Sequence, residues 1–363
     1  GPIEAIPAAL RRAVYSTGKG ATVAVNPTSP ALRPDPAIDE RELRRQVDEF
    51  RELVHAIRAE LQKVIVGQEA LTSRLLMGLF LQGHVLLEGP PGLGKTLLLR
   101  TLSQVLNLTF KRVQFTPDLM PADILGTRIL RQSGEDVSFE FEPGPVFTNL
   151  LMADEINRAS PKTQSALLEA MQERQVTSAG VSHPLPSPFL VLATQNPIEM
   201  EGTYPLPEAQ LDRFLFKLDV HPPDALELIK IAQRTTGGDA PALSTVAASV
   251  EQMQRAMELV RSLPVATAIL EYCARIVLAT HPQEGNELAR KYIRFGASPR
   301  GMQALVLAAK ARALLLGRTS VIRDDIVDVA QSCLSHRIIL NFDAESEGLR
   351  ATTVIEQLLR QVH

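Results

Sequence analysis

The octapeptide Gly89-Pro90-Pro91-Gly92-Leu93-Gly94-Lys95-Thr96 constrains this chain more than any other stretch, because it fits the pattern G-x-x-x-x-G-K-T. An apolar run at 84–88 precedes it and a helical pattern at 95–106 follows it. Strand, glycine-rich turn and helix start, in that order, form the setting in which this motif cradles phosphate. The glycines let backbone amides approach the phosphates, and the helix N-terminus adds partial positive charge. Lys95 reaches the terminal phosphates and Thr96 offers a hydroxyl to a magnesium ion. The expected nucleotide-binding set is Gly89, Pro90, Pro91, Gly92, Leu93, Gly94, Lys95, Thr96 and Leu97.

A second apolar run, Leu150-Leu151-Met152-Ala153, ends in Asp154 and Glu155. A buried strand has no use for acids, so their place at its C-terminal end points to a site. Asp154 is expected to hold the magnesium, through water, and Glu155 to polarise an attacking water. The alternative is two acids on a solvated loop. The next apolar run ends in Ala193-Thr194-Gln195-Asn196-Pro197. The Asn196 amide is expected to orient the same water and sense the terminal phosphate, although Asn before Pro is also an ordinary turn former.

The rest of the chain supplies the frame. Pro27, Pro30, Pro34 and Pro36 punctuate residues 1–40, which read as a tail or linker. Leu43, Val47, Phe50, Val54, Ile57 and Leu61 recur at helical steps over 40–63. Strands are predicted at 84–88, 108–115, 150–154, 189–194 and 215–220, and helices at 95–106 and 160–173, the latter opened by the N-cap pair Ser160-Pro161. This alternation implies an α/β fold, a doubly wound and mostly parallel sheet covered on both faces. Two stretches of alternating residues, 127–141 around Ser133-Gly134 and 175–185 around Ala179-Gly180, read as inserted hairpins. After Pro222-Pro223 helical periodicity runs from 226 to 362, with breaks at Gly237-Gly238, Pro264, Pro282, Gly296 and Gly317. The expected division is a tail (1–40), an α/β domain (41–222) and an all-helical domain (223–363).

Lys plus Arg number 38 against 41 Asp plus Glu, a net charge of −3. That balance gives no global pull toward nucleic acid or anionic lipid. Cys273 and Cys333 lie far apart, without ligand spacing, and suit a reducing compartment as small apolar helix residues. No run is long enough to insert in a membrane and no secretory leader is visible, so a cytoplasmic location is expected.

Taken together, these elements resemble an AAA+ ATPase and, more narrowly, the MoxR family. The resemblance rests on Val66-Gly67-Gln68, Phe115-Thr116-Pro117-Asp118, Asp123-Ile124-Leu125-Gly126, Asp154-Glu155-Ile156-Asn157-Arg158-Ala159 and Lys162-Thr163-Gln164-Ser165-Ala166-Leu167-Leu168-Glu169. It rests most specifically on the run from Glu201 to Phe214, Glu-Gly-Thr-Tyr-Pro-Leu-Pro-Glu-Ala-Gln-Leu-Asp-Arg-Phe. It covers about residue 45 to the C-terminus. It implies that ATP and Mg2+ are the ligands, that Val66 and Gly67 pack near the adenine, and that the two hairpins are the family's insertions. It also implies that Arg213 is an arginine finger reaching a neighbour's nucleotide, and that Arg300, in Ala297-Ser298-Pro299-Arg300, is a second phosphate sensor acting on its own or a neighbour's nucleotide. Arg158 is a further interface candidate. Read alone, Arg213 is also a surface cation paired with Asp212, Arg300 a helix-start residue, and Val66-Gly67 a helix-to-loop junction.

The same resemblance implies a homo-oligomeric ring, a hexamer, with a chaperone-like role in remodelling or maturing protein complexes. The implied partner is a protein client or a protein carrying a von Willebrand factor A domain. Neither hairpin carries an aromatic residue at its predicted tip, so a stacking grip on nucleic acid is not expected. A nucleic-acid-dependent motor and a nucleotide-gated scaffold with little turnover are the alternative readings.

Overall fold

Apolar runs of four to six residues between helices need burial on both faces. In the computed structural model of the chain they form one five-stranded sheet. The structure describes residues 40–90, 92–133, 136–196, 202–220, 222–237, 242–246, 250–284 and 286–362. Residues 1–39 of the expected tail (1–40), Pro91, Gly134 and Glu135, Gly238 of the expected Gly237-Gly238 break, and residues 197–201 lie outside these residues.

The chain enters through helix α1 (Glu40–Val64), whose buried stripe is Leu43, Val47, Phe50, Leu53, Val54, Ile57 and Leu61. Helix α2 (Glu69–Leu81) follows, then strand β1 (Val85–Glu88), α3 (Lys95–Val105) and β2 (Phe110–Gln114). A short helix, α4 (Pro121–Leu125), leads into the hairpin β3 (Gly126–Ser133) and β4 (Asp136–Pro143). Strand β5 (Leu150–Asp154), helix α5 (Pro161–Glu173), the hairpin β6 (Gln175–Ser178) and β7 (Val181–Pro184), strand β8 (Leu190–Gln195), the single turn α6 (Glu208–Leu211) and β9 (Phe216–Asp219) complete the α/β part.

The sheet order is β2-β5-β8-β1-β9, with every pairing parallel. Successive strand residues face opposite sides. Leu150 and Met152 therefore join a core with α1, α2, α3 and the C-terminal helices. Leu151 and Ala153 join a separate core with Leu167, Leu168 and Met171 of α5. Strands β1, β5 and β8 are buried until their last residues, Glu88, Asp154 and Gln195, which emerge at the C-terminal edge of the sheet. Both expected hairpins are present as antiparallel pairs. Ala179 and Gly180 both have positive φ, the turn geometry that suits a two-residue hairpin loop.

The C-terminal region is built from α7 (Ala225–Thr236), α8 (Val250–Ser262), α9 (Thr267–Ala279), α10 (Glu287–Tyr292), α11 (Pro299–Leu315), α12 (Arg323–Leu334), α13 (Phe342–Ser346) and α14 (Ala351–Gln361). It is helical as expected, with one amendment to the all-helical reading. Strands β10 (Ile293–Phe295) and β11 (Ile339–Leu340) pair as a short antiparallel ribbon. Both are β-branched or aromatic pieces too short to show a period in the sequence. Cys273 and Cys333 are buried in α9 and α12, and burial pushes their thiols up to about 11 and about 12. Among the described residues no single helix is long and apolar enough to cross a membrane.

Candidate nucleotide-binding site

The loop after β1 turns into α3 through Gly94, which holds φ at +74° and caps the helix. A left-handed residue there costs a non-glycine side chain about 1 kcal/mol. The loop bounds a cavity of about 340 Å³ at the C-terminal edge of the sheet. Gly89, Gly92, Leu93, Gly94, Lys95, Thr96 and Leu97 line it on one side, and Asp154, Glu155 and Asn196 on the other. The parallel order explains this meeting, because β5 and β8 lie beside β1 and deliver their last residues to the same edge.

Lys95 is 6% exposed, and its ammonium donates to the Gly89 carbonyl at 3.1 Å. Burial lowers its pKa, and the Asp154 carboxylate opposes that shift. A buried lysine beside one carboxylate gains from a phosphate that supplies further negative charge. The Thr96 hydroxyl donates to the Met152 sulfur at 3.2 Å, a weak acceptor that leaves the oxygen's lone pairs for a cation.

Asp154 is held from two directions. Its Oδ1 accepts from the Thr194 hydroxyl at 2.6 Å, and its Oδ2 accepts from Arg112 Nη2 at 2.5 Å. The same threonine oxygen accepts the Glu155 amide at 2.9 Å. Glu155 sits in the left-handed region at φ +54°, and its Oε2 accepts from Gln114 Nε2 at 2.8 Å and faces Arg158 Nη1 at 3.3 Å. Asn196 is buried at the end of β8, on the wall of the same cavity. A glycine-rich loop, two hydrogen-bonded carboxylates and a buried amide around one cavity form the equipment for cleaving a terminal phosphate with water.

Sequence reading singled out neither Arg112 nor Gln114. Their signal was the period of β2, which puts residues 112 and 114 on one face, and the register that pairs Gln114 with Asp154. Gln68 was missed as a site residue too. Its Nε2 donates to the Leu93 carbonyl at 2.5 Å and so ties the segment before α2 to the phosphate loop.

Comparison with known proteins agrees with this architecture. The sequence profile of the ATPase family associated with various cellular activities matches residues 84–216, and that of the AAA lid domain matches 285–358. The chain is 47% identical over 305 residues to the protein named Chaperone MoxR1 of Mycobacterium tuberculosis, covering 84% of this chain and 80% of that one. It is 31% identical over 334 residues to Protein MoxR of Methylorubrum extorquens, covering 86% and 94%. The chain belongs to the MoxR family of AAA+ ATPases. A crystal structure of a protein described as an ATPase, from Cytophaga hutchinsonii, superposes with a TM-score of 0.82 at 41% identity, covering 89% of this chain and 98% of the other.

The remaining MoxR-type positions lie away from the phosphate cavity. Val66 and Gly67 do not line it. Gly67 has φ +67°, and a Cβ there would meet the Glu227 carboxylate of α7 at 2.0 Å. Arg234, about two helical turns beyond, donates to the Gln62 carbonyl at 2.7 Å, so α7 is fastened to the end of α1 beside this glycine. Arg213 donates to the Leu168 carbonyl of α5 at 3.0 Å. Arg300 faces the Asp212 carboxylate at 3.7 Å. Neither arginine lines the cavity of its own chain.

Proposed function

We propose that the chain is a magnesium-dependent ATP hydrolase that works as a ring, a hexamer, with each site completed by the neighbouring subunit. The observation that carries this reading is the placement of Arg213 and Arg300. They gather around Asp212 and Leu168 rather than on the wall of their own phosphate cavity. Developing charge on a transferred phosphoryl group calls for a cation, and such a finger is worth about 10³ to 10⁵ in rate.

In this reading the phosphate loop and Lys95 hold the phosphates of ATP, Glu155 orients the water and Asn196 reports the terminal phosphate. Thr96 and Asp154 would hold Mg2+, which supplies neutralising charge at the phosphates. Two protein ligands suit magnesium, which keeps several waters and takes its other ligands from phosphate. The nucleoside half is assigned to a cavity of about 550 Å³ shared by Gln68, Asp219, Val220 and Glu227. Gln68 lines this cavity, and its Oε1 is buried without a hydrogen-bond partner among the described residues. The functional division falls at 222/223, between an ATPase domain (41–222) and a helical lid (223–363).

The name of one relative, Chaperone MoxR1, supports a chaperone-like role, which we extend to the remodelling of protein complexes, with a protein client or a von Willebrand factor A domain partner, in the cytoplasm. Steady-state ATPase rate against protein concentration tests the shared site, using wild type, Glu155→Gln, Arg213→Ala and mixtures of the two variants. Specific activity that rises with concentration and returns on mixing is expected. Activity independent of concentration, with no return on mixing, means that each subunit works alone.

A further inference from the structure

Arg337 lies just beyond α12, and its side chain is 3% exposed. A guanidinium taken this far out of water must satisfy its fork of donors, and the acceptors it finds are informative. Nε donates to Asp212 Oδ1 at 2.8 Å. Nη2 donates to the carbonyls of Asp212 at 3.2 Å and Phe214 at 2.7 Å. Nη1 donates to the Leu215 carbonyl at 3.3 Å and to the Cys333 carbonyl at its own helix end. One lid side chain therefore holds the backbone on both sides of Arg213.

A second grip comes from the start of α11. Ser298, its N-cap, donates to Asp212 Oδ2 at 3.1 Å, and Arg300 faces the same oxygen. Asp212 thus receives lid groups from the two ends of the α11–α12 pair. Arg213 stands between these held residues, and its side chain rests on the Leu168 carbonyl of α5. The lid residues that do this do not line the phosphate cavity of their own chain.

Resting on the shared site proposed above, we infer that Arg337 is a positioning residue for the hydrolysis reaction. Through Asp212 it locks the Arg213 finger to the helical lid of the same subunit, so that lid and finger move as one body toward the neighbour's nucleotide. Arg337 lines neither the phosphate cavity nor the cavity assigned to the nucleoside; it acts through Asp212 and the backbone of residues 212–215.

The test is a mixing assay on full-length protein with Arg337→Met and the milder Asp212→Asn, which keeps the backbone acceptors and nearly the same shape. Each is expected to lower kcat at least tenfold in homogeneous rings while leaving KM for ATP within about twofold. Each is expected to regain activity when mixed with Glu155→Gln, whose fingers are intact, as Arg213→Ala does. Normal kcat in Asp212→Asn overturns the inference. So does a loss that Glu155→Gln subunits do not restore while they do restore Arg213→Ala, because the pair is then only structural. If Arg213→Ala itself is not restored, the shared site fails and the inference falls with it.

Discussion

At the scale of single residues, the two acids at the end of β5 differ in what restrains them. Asp154 Oδ2 is engaged by Arg112, a side chain 49% exposed, in the free protein. A cation seeking Asp154 must compete with this guanidinium. Half-exposed ion pairs are worth under about 1 kcal/mol. Arg112→Ala should therefore lower the magnesium concentration for half-maximal ATPase by about two- to fivefold, as read in a magnesium titration at saturating ATP. An unchanged or higher requirement would show that the pair does not oppose the metal. Gly67 has a different constraint. Its φ of +67° strains any side chain, and a methyl group would push aside the Glu227 carboxylate, which caps α7 by accepting the Asp224 amide. Gly67→Ala should cost at least about 1 kcal/mol in urea unfolding and weaken nucleotide binding, because Gln68 next to it holds Leu93. Unfolding at the wild-type urea midpoint would count against this.

At the scale of elements, α11 and α12 are joined by a buried charge. The Asp325 carboxylate is fully buried and accepts from Arg312 Nη1 at 2.5 Å, from Arg318 Nη1 at 2.7 Å and from the Ile322 amide at 2.9 Å. Burial alone would raise its pKa, but the hydrogen bonds from Arg318, Ile322 and Arg312 outweigh it and hold the carboxyl below its usual value. Arg312 also reaches Asp328, which Arg74 of α2 binds at 2.9 Å, so the joint extends to the α/β part. Removing one partner of a buried pair strands the other charges. Asp325→Ala should cost about 3 kcal/mol, measured by denaturant unfolding, and a loss under about 1 kcal/mol would contradict the burial argument. None of this was legible in the sequence, where Arg312 and Asp325 look like ordinary helix-surface charges and Arg318 like a cation just past the Gly317 break. The same limit hid the grip of Arg337 on Asp212, which lie 125 positions apart. What was legible had a local signature: the phosphate loop by its glycines, β5 by an apolar run ending in acids, and both hairpins by alternation around a turn. Helix α2 escaped because its buried face, Leu75 to Leu81, is apolar all round and shows no helical period.

At the scale of the whole molecule, one histidine links the sheet to its covering helix and makes stability depend on pH. His84 precedes β1, fully buried. The Val191 amide of β8 donates to Nδ1 at 3.0 Å, so that nitrogen is an acceptor and the proton sits on Nε2, which donates to the Met171 carbonyl of α5 at 3.1 Å. Both nitrogens are thereby committed to a neutral ring, and a second proton would break the bond to β8. Burial, reinforced by the Arg174 charge and opposed by the Met171 bond, lowers the pKa to about 4 from 6.5. Between those values the unfolded chain binds a proton that the native chain does not, so stability is fully present above pH 6.5 and is lost as the pH falls toward 4. His84 alone should remove about 2 kcal/mol between pH 7.5 and pH 5. His336, also buried and lowered well below 6.5, adds in the same direction. His84→Gln preserves one donor and one acceptor without a titrating group. Its urea midpoint should therefore fall less than that of the wild type over this interval. Because β1, β8 and α5 all converge on the ring, the loss should appear in a single cooperative transition that takes the phosphate loop with it. Parallel pH dependence in the two proteins would show that acid acts elsewhere in the fold.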